Sequence, residues 1–409
     1  MTGEMRPKLR HVQVGSGQQQ GQQVLVLSDP WGLSDCAVIL PANLAPVLER
    51  CDGTCDIATL RTVLELRTGL RVGPDYLEKM FIALDKALMI DNEHFAQVYR
   101  EAVNNFRTAP SRPPTMADRV YPANPELLEQ VLYGYFDGLL PDASDMTKAA
   151  EVRGLVSPHI DYQRGGIVYA GVWRRAAQAA GAAEVAIILG TNHFNGQKLI
   201  TLTKQSYSTP LGVLVTPGDV VDAVASALGE GEVFAEEFNH RNEHSVEAAA
   251  VWLHYLVKDK GCELVPVLCG SFQRFIEGDE NPGDDYEIAR FVEAVRKTTA
   301  NRRTLIVAAG DLAHVGPAFG DRYPVNVLEK AKLLSADNEL ISAIASGDAE
   351  GMFQQVKKEG DRRRICGLSA IYLALRLLGK AKGDVTGYAQ CPADQQGASF
   401  VSICGIVLT

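Results

Sequence analysis

Short apolar runs alternate with longer amphipathic stretches from about residue 124 onward. The short runs are bounded by turn residues and are typical of buried strands, whereas the longer stretches repeat apolar residues at helical spacing. The pattern predicts strands at Val152–Ser157, Val185–Leu189, Leu199–Leu202, Val213–Val215, Leu264–Leu268, Leu305–Ala309, Val385–Ala389 and Phe400–Leu408. It predicts helices at Asn124–Leu140, Ile167–Ala180, Gly218–Ala227, Ser245–Val257, Tyr286–Thr299, Val327–Ala345, Ala349–Lys358 and Gly367–Leu378. Alternating strands and helices indicate the α/β class.

The first 108 residues follow a different, mainly helical pattern. The elements predicted there are a strand at Gln22–Ser28, helices at Ala45–Arg50, Ile57–Thr68 and Pro74–Leu88, and a short extended piece at Ala87–Ile90. This order resembles a winged helix, and the glutamine-rich stretch Gln18–Gln23 is expected to be a flexible lead-in. A further helical pattern ends near Phe106 and is followed by a proline-rich stretch. We therefore predict a small domain over 1–108, a linker over 109–115 and an α/β domain over 116–409.

Composition and charge exclude several classes of protein. Of the 409 residues, 46% are hydrophobic and 22% are charged, which is ordinary globular composition. The net charge of −10 argues against nucleic-acid binding, and residues 1–115 hold 12 basic against 13 acidic residues. Protein docking is therefore the expected use of the small domain.

Location and redox state can also be predicted from the composition. No apolar run approaches the ~20 residues needed to cross a bilayer, and the first residues do not form a signal peptide. We expect a cytoplasmic protein whose eight cysteines are reduced thiols.

Candidate chemistry is concentrated where predicted strands end. His159 and His193 each follow an apolar run, and Asp311 and His314 follow another. Ligands in open α/β sheets bind beyond the carboxyl ends of strands, so these side chains are expected to meet at one rim. Imidazole and carboxylate groups bind Fe, Zn and Cu, and the pattern therefore suggests a mononuclear metal site.

Each histidine has a structural alternative, since any one of them could be a hydrogen-bonded core or surface side chain. Cys366 immediately precedes a long apolar helix, where the dipole favours a thiolate, but it could equally be a buried helix-start cysteine. His244 is interpreted as a rim residue with Glu247 one turn into the next helix, and His240 and His254 as structural.

Several motifs are weak or missing. The sequence from His240 to His244 matches H-x-x-E-H, but the asparagines within and before it favour a loop, and the helical pattern starts only at Ser245. The Cys51 and Cys55 pair is better explained by an Asp-Gly turn than by zinc. The sequence contains no dinucleotide-binding, P-loop or nucleophile-elbow motif.

Six ordered motifs resemble the Memo family, whose prokaryotic members are called AmmeMemoRadiSam system protein B. They are Ser157-Pro-His159 with Gly165, Gly166 and Tyr169; Leu189-Gly-Thr-Asn-His193; Asn242-Glu-His-Ser-Val-Glu247; Gly310-Asp-Leu-Ala-His314; Ile365-Cys-Gly367; and Tyr388-Ala-Gln390 with Ser399 and Ser402. The resemblance covers roughly residues 116–409. The preceding extension is similar to the winged-helix-like piece of some bacterial members.

The resemblance implies a three-layer α/β fold similar to that of class III extradiol dioxygenases. It implies His159, His193 and Cys366 as metal ligands, with Fe(II) as the expected metal and Zn or Cu as alternatives. Asp311, His314 and His244 would line the pocket. It also implies two partners, a radical-SAM protein and an AMMECR-domain protein.

This chain departs from the family pattern at two places. Asp161 stands where the family has a glycine in Pro-His-Ala-Gly-Tyr, and Ala117-Asp-Arg-Val-Tyr121 replaces the usual histidine and glycine before the first helix.

Three functions remain open from sequence. The first is an iron-dependent redox enzyme acting on a small polar or aromatic substrate, with His244 or His314 as general acid or base. The second is a metal-dependent hydrolase in which Asp311 or Glu247 accepts a proton from water. The third is a non-catalytic adaptor that uses the same pocket.

Overall fold

The computed structural model describes residues 5–139, 152–194 and 196–409, and it divides into two compact units, Met1–Thr108 and Ala109–Thr409. The end of the predicted helix at Leu140 lies outside the described residues. In the part of the chain that is described, no helix combines the length and apolar character needed to span a membrane.

The N-terminal unit combines helices with a small antiparallel sheet. Its strands are β1 (Gln13–Gln19), β2 (Gln22–Ser28) and β3 (Val38–Pro41), and its helices are α1 (Ala45–Leu48), α2 (Ile57–Thr68), α3 (Pro74–Lys86) and α4 (Glu93–Thr108). The expectation of a flexible lead-in at Gln18–Gln23 is wrong, because β1 and β2 form a hairpin. Gln20 and Gly21 have φ angles of 51° and 79°, as a tight hairpin turn requires.

The strands of the C-terminal unit are β4 (Gly154–Ser157), β5 (Val185–Thr191), β6 (Ile200–Leu202), β7 (Tyr207–Thr209), β8 (Gly212–Leu214), β9 (Glu263–Cys269), β10 (Thr304–Ala309), β11 (His314–Val315), β12 (Gly383–Pro392) and β13 (Phe400–Leu408). Its helices are α5 (Pro125–Asp137), α6 (Tyr162–Ala182), α7 (Gly218–Leu228), α8 (Glu230–Val233), α9 (Ser245–Val257), α10 (Gln273–Glu277), α11 (Tyr286–Thr299), α12 (Val327–Ala345), α13 (Ala349–Lys358) and α14 (Leu368–Leu378).

One mixed sheet organises the C-terminal unit. Its order is β11-β13-β4-β10-β5-β9-β6, with β12 paired to β13. Strands β4, β10, β5 and β9 are mutually parallel, whereas β6 and β13 run antiparallel to them. The parallel strands therefore end at the same edge, which is where the functional loops lie.

Helices cover both faces of this sheet, so the α/β three-layer prediction is confirmed. Alternate residues of one strand point to opposite cores: Ile187 belongs to the core that also contains residues of α7, α11, α13 and α14, and Ile188 belongs to the core that contains residues of α5, α6 and α9. Both side chains are fully buried. Burial on both faces explains why these strands are uniformly apolar in sequence.

The predicted linker belongs to the C-terminal unit. Arg112 within it is fully buried, and its backbone N–H donates to Ser206 O at 2.7 Å. Ser111 Oγ and Ser208 Oγ lie 2.6 Å apart. The proline-rich composition indicated an extended segment, but the side chains between the prolines attach that segment to the α/β unit.

Candidate metal centre

Three strand ends and one helix start bring the site residues together. His159 follows β4, His193 follows β5 and Asp311 follows β10, and these three strands are neighbours in the sheet. Cys366 lies two residues before the first residue of α14. The rim predicted from sequence is therefore present in the structure.

His159, His193 and Cys366 form a compact group of possible metal ligands. One ligand atom from each lies within 4.8 Å of the others, and His159 Nε2 is 3.2 Å from Cys366 Sγ. The Nδ1 atom of His159 lies 3.0 Å from the carbonyl oxygen of Ala309, to which it donates, so Nε2 is the nitrogen that faces the thiol. Such a backbone contact fixes the tautomer and the ring plane of a ligating histidine.

The Glu243 carboxylate contacts the Nδ1 atoms of two histidines of the site, His193 and His244. It lies 2.9 Å from His193 Nδ1 and 3.2 Å from His244 Nδ1. It also accepts the backbone N–H groups of His193, His244 and Ser245 at 2.9, 2.9 and 3.0 Å. This role of Glu243 could not be predicted from the sequence, because nothing in the spacing distinguishes an orienting carboxylate from an exposed one.

A second grouping contains His193, Glu243 and His244. The Glu243 carboxylate accepts several N–H groups and is buried, so its role is better explained as support for the two rings than as a ligand. The His193 and His244 rings stack with centroids 4.7 Å apart.

Asp311 and His314 complete the polar wall. Asp311 Oδ1 accepts the N–H groups of His159 and Ile160 at 2.8 and 3.3 Å, and its Oδ2 lies 3.7 Å from His159 Nε2. His314 Nδ1 is shared between the carbonyl oxygens of Leu312 and Arg364 at 3.2 and 3.1 Å. Its Nε2 is therefore the nitrogen available to a ligand.

Burial and neighbouring charges shift the titration of these groups. Burial lowers the pKa of His159 and of His314. Burial also opposes protonation of His244, but the Glu243 carboxylate outweighs it and raises the His244 pKa. The pKa of Glu243 falls well below its usual value because His193 and His244 outweigh its burial.

Burial raises the pKa of Cys366 well above that of a free thiol, and the nearby Asp311 adds to this effect. Burial likewise raises the pKa of Asp311.

The Cys366 segment is clamped against the Asp311 loop. A Cβ added at Gly310 would lie 2.5 Å from the Cα of Gly367, so the two backbones touch. Gly367 N donates to Asp311 O at 2.9 Å, and Thr191 Oγ1 donates to Cys366 O at 2.9 Å. Arg364 has a φ of 55° and donates Nη2 to Asp321 Oδ1 at 2.6 Å. The clamp places the thiol beside His159.

Glu247 lies behind the cavity wall rather than in it. It pairs with the buried Arg112 and with Tyr121 OH, and it accepts from Thr115 N and Met116 N at 3.1 and 2.8 Å. Its carboxylate is thus fully engaged with residues that precede α5. Arg112, which sequence reasoning did not single out, is its main partner.

His240 and His254 are both engaged structurally. His240 Nδ1 lies 2.7 Å from Tyr207 OH and its Nε2 lies 3.0 Å from Thr201 O, while His254 Nδ1 lies 2.7 Å from Thr209 Oγ1. A short 3-10 helix, Glu237–Arg241, ends before the motif is complete, and α9 begins only at Ser245. The H-x-x-E-H match therefore does not lie on a continuous helix.

A cavity of about 500 Å³ opens over the cluster. The histidines at 159, 193, 244 and 314 line it together with Asp311. Its apolar wall is formed by Met116, Val120, Ile160, Phe319 and Val401, among others. A cavity of this size, with polar groups converging on one point, is typical of a small-molecule site.

The donor set fits a divalent metal ion. Two imidazole nitrogens and one thiol sulfur converge, and their backbone and carboxylate contacts orient both rings. Three protein ligands leave coordination positions open, as a catalytic rather than a structural site requires.

Comparisons with known proteins place this chain in a family. The model of the family described as "Memo-like protein" matches residues 112–407. A MEMO1 family protein of Aquifex aeolicus is 25% identical over 410 residues, covering 98% of this chain and 100% of the relative. MEMO1 family protein MK0963 of Methanopyrus kandleri is 28% identical over 291 residues, covering 68% of this chain and 91% of the relative. The chain belongs to the Memo family, which confirms the resemblance found in its motifs.

Proposed function

We propose that the C-terminal unit is a mononuclear metal-dependent oxidoreductase that acts on a small substrate bound in the cavity. The proposal is based on the ligand atoms of His159, His193 and Cys366, which lie within 4.8 Å of one another, and on the cavity that His159 and His193 line. Fe(II) is the proposed metal, with Zn or Cu as alternatives, and the proposed chemistry is dioxygenase-like. When bound, the metal would supply a redox-active Lewis acid with open coordination positions.

The residues of the chain have separable roles in this proposal. His159, His193 and Cys366 hold the ion. His244 and His314 each use Nδ1 for support, which leaves Nε2 to move a proton to or from the substrate. Asp311 fixes the backbone of His159 and Ile160 and so positions the first ligand.

Oxygen uptake tests the proposed reaction. Protein loaded with Fe(II) is supplied with a panel of small aromatic and polar compounds, and consumption of dioxygen is measured. We expect uptake by the wild type and a loss of about 10²–10⁴-fold in His244→Asn or His314→Asn at unchanged metal content. Uptake that is equal in all three proteins would contradict the assigned proton-transfer roles.

A metal-dependent hydrolase is the second candidate, favoured by the position of the Asp311 carboxylate 3.7 Å from His159 Nε2. There Asp311 would accept a proton from water. Turnover of an ester or amide under strictly anaerobic conditions would support this candidate over the first. A chain that binds compounds in the cavity but converts none would instead be an adaptor.

We also propose two partners and a cellular location, the partners from the motif resemblance described above. A radical-SAM protein and an AMMECR-domain protein are the proposed partners, with no role for nucleic acid or membrane. The eight cysteines are free thiols, which is consistent with the proposed cytoplasmic location.

A further inference from the structure

An ion pair lies in the wall of the cavity in addition to the histidines. Asp161 and Arg164 both line the cavity, and Arg164 Nε donates to Asp161 Oδ2 at 2.6 Å. Asp161 also caps α6, because its Oδ1 accepts the backbone N–H of Arg164 at 3.0 Å. Asp161 is the residue that stands where the family has a glycine. One carboxylate oxygen of Asp161 accepts from the Arg164 side chain, and the other accepts from the backbone N–H that begins the helix.

The guanidinium of Arg164 keeps donors to spare. Besides Nε, its Nη1 donates to the carbonyl oxygen of Pro392 at 2.9 Å. A guanidinium has five N–H donors, so these two contacts fix its plane and leave donors for a ligand. The Arg164 side chain is 36% exposed, which keeps it accessible from the cavity and from solvent. A planar donor held in place is suited to a carboxylate.

The other polar groups of the cavity do not offer an equivalent site for a cation. Asp311 is buried and accepts the N–H groups of His159 and Ile160. The two carboxylate oxygens of Asp161 already accept hydrogen bonds from Arg164. The apolar wall at Met116, Val120, Phe319 and Val401 favours a hydrocarbon body over a strongly polar one.

We propose that the cavity binds a small aromatic or aliphatic acid whose carboxylate pairs with Arg164 while its apolar body lies against this wall. The inference rests on the proposed function only in taking the cavity as the substrate site. Asp161 thus acts as a specificity-determining residue, since it orients Arg164 and partly neutralises it.

Benzoate binding tests this proposal. Isothermal titration calorimetry is performed on the full chain, both as purified and after dialysis against EDTA, so that binding to a metal ion is separated from binding to Arg164. Benzamide and benzylamine serve as neutral and cationic probes of similar shape. The variants are Arg164→Gln, Asp161→Asn and, as a matched control outside the cavity wall, Arg274→Gln. Arg274 also pairs with an aspartate, Asp285, at 2.5 Å.

Four results are expected. Benzoate binds the wild type more tightly than benzamide or benzylamine does, and binding weakens at least tenfold in Arg164→Gln. Asp161→Asn keeps the helix cap, since asparagine caps as well as aspartate, and it binds benzoate more tightly than the wild type because the charge of Arg164 is no longer partly neutralised. Arg274→Gln is unchanged. Benzoate binding that is indifferent to Arg164, or benzylamine as the preferred probe, would overturn the proposal.

Metal content of the same variants separates this proposal from the proposed function. We expect Arg164→Gln and Asp161→Asn to hold as much metal as the wild type. Arg164-dependent benzoate binding by a protein that never holds metal would refute the oxidoreductase and leave this inference standing. Metal-dependent oxygen uptake without Arg164-dependent benzoate binding would support the oxidoreductase and refute the proposed carboxylate site.

Discussion

The Nε2 atom of His159 and the Sγ atom of Cys366 lie 3.2 Å apart, although 207 positions separate the two residues along the chain. His159 follows a central strand, and Cys366 precedes the helix that packs on that strand and its neighbour β10. The contact is therefore set by the sheet order and by the packing of α14. This relationship is the basis of the proposed metal centre.

Glu243→Gln should weaken metal binding without removing a ligand. The carboxylate supports His193 and His244 through both rings and through three backbone N–H groups, and an amide cannot accept all of these contacts. Loss of such a supporting group typically costs about 10–100-fold in metal affinity. Competition with a chromophoric chelator measures the change. An affinity equal to that of the wild type would show that Glu243 does not orient the ligands.

Gly310→Ala should disturb the site through the backbone. The added Cβ would lie 2.5 Å from the Cα of Gly367, and neither backbone can yield without moving Asp311 or Cys366. We expect a loss of about 1–3 kcal/mol in the free energy of unfolding, as overpacking produces, together with weaker metal binding. Chemical denaturation and metal titration provide the two measurements.

Gly134→Ala is the control for that experiment. Gly134 lies within α5, and nothing lies within 4 Å of an added Cβ there. Alanine is the better helix former by about 0.5–1 kcal/mol, so this variant should be as stable as the wild type or more so. A similar loss in both variants would mean that the Gly310 effect is not specific to the contact with Gly367.

Glu247→Gln should reduce stability at neutral pH and change its dependence on pH. Burial raises the pKa of Glu247, but Arg112, Tyr121 and Met116 N–H outweigh burial and hold it below its usual value. A depressed carboxyl pKa contributes stability that is present above the unfolded pKa and lost as pH falls through the folded pKa. We expect a cost of about 3 kcal/mol near pH 7, because the substitution leaves Arg112 buried without its charged partner.

The gap between wild type and Glu247→Gln should therefore narrow as the pH falls below about 4.3. Calorimetric unfolding from pH 3 to pH 8, with EDTA present to remove any contribution from metal, measures this gap. A difference that stays constant across the range would show that the charge of Glu247 does not carry the effect.

Much of the fold could be predicted from the sequence because local signals and packing agree. The helices at Tyr286–Thr299, Val327–Ala345 and Ala349–Lys358 have the predicted bounds, and each begins after an Asp or Asn that caps it. The start of α6 was predicted too late, since Gly165 and Gly166 weaken the helical pattern. Gly165 is needed there because an added Cβ would lie 2.6 Å from Ile160 Cγ2.

Short and exposed strands could not be predicted in the same way. Residues Gln13–Gln19 have no apolar alternation, and their strand depends on pairing with β2 across a two-residue turn. Likewise β11 consists of His314 and Val315 alone and exists only because β13 lies beside it. Both are tertiary features that a local pattern does not record.

The candidate site was only partly predictable from the sequence. Strand ends indicated His159, His193 and Asp311 as rim residues, because the direction of parallel strands fixes where their loops lie. Glu243 and Arg112 act through contacts with residues distant in sequence, Arg112 with Glu247 135 positions away. The pairing of Asp161 with Arg164 likewise depends on side-chain geometry at the start of α6.

Elemental analysis is the most direct test of whether His159, His193 and Cys366 hold one metal ion. Protein purified anaerobically without a metal-affinity column is compared with His193→Ala, Cys366→Ala and the Gly134→Ala control. We expect about one equivalent of metal, with iron as the first candidate, in the wild type and in Gly134→Ala, and almost none in the other two folded variants. Metal retained in both His193→Ala and Cys366→Ala, or no metal in the wild type even after addition of Fe(II) or Zn(II), would contradict this expectation.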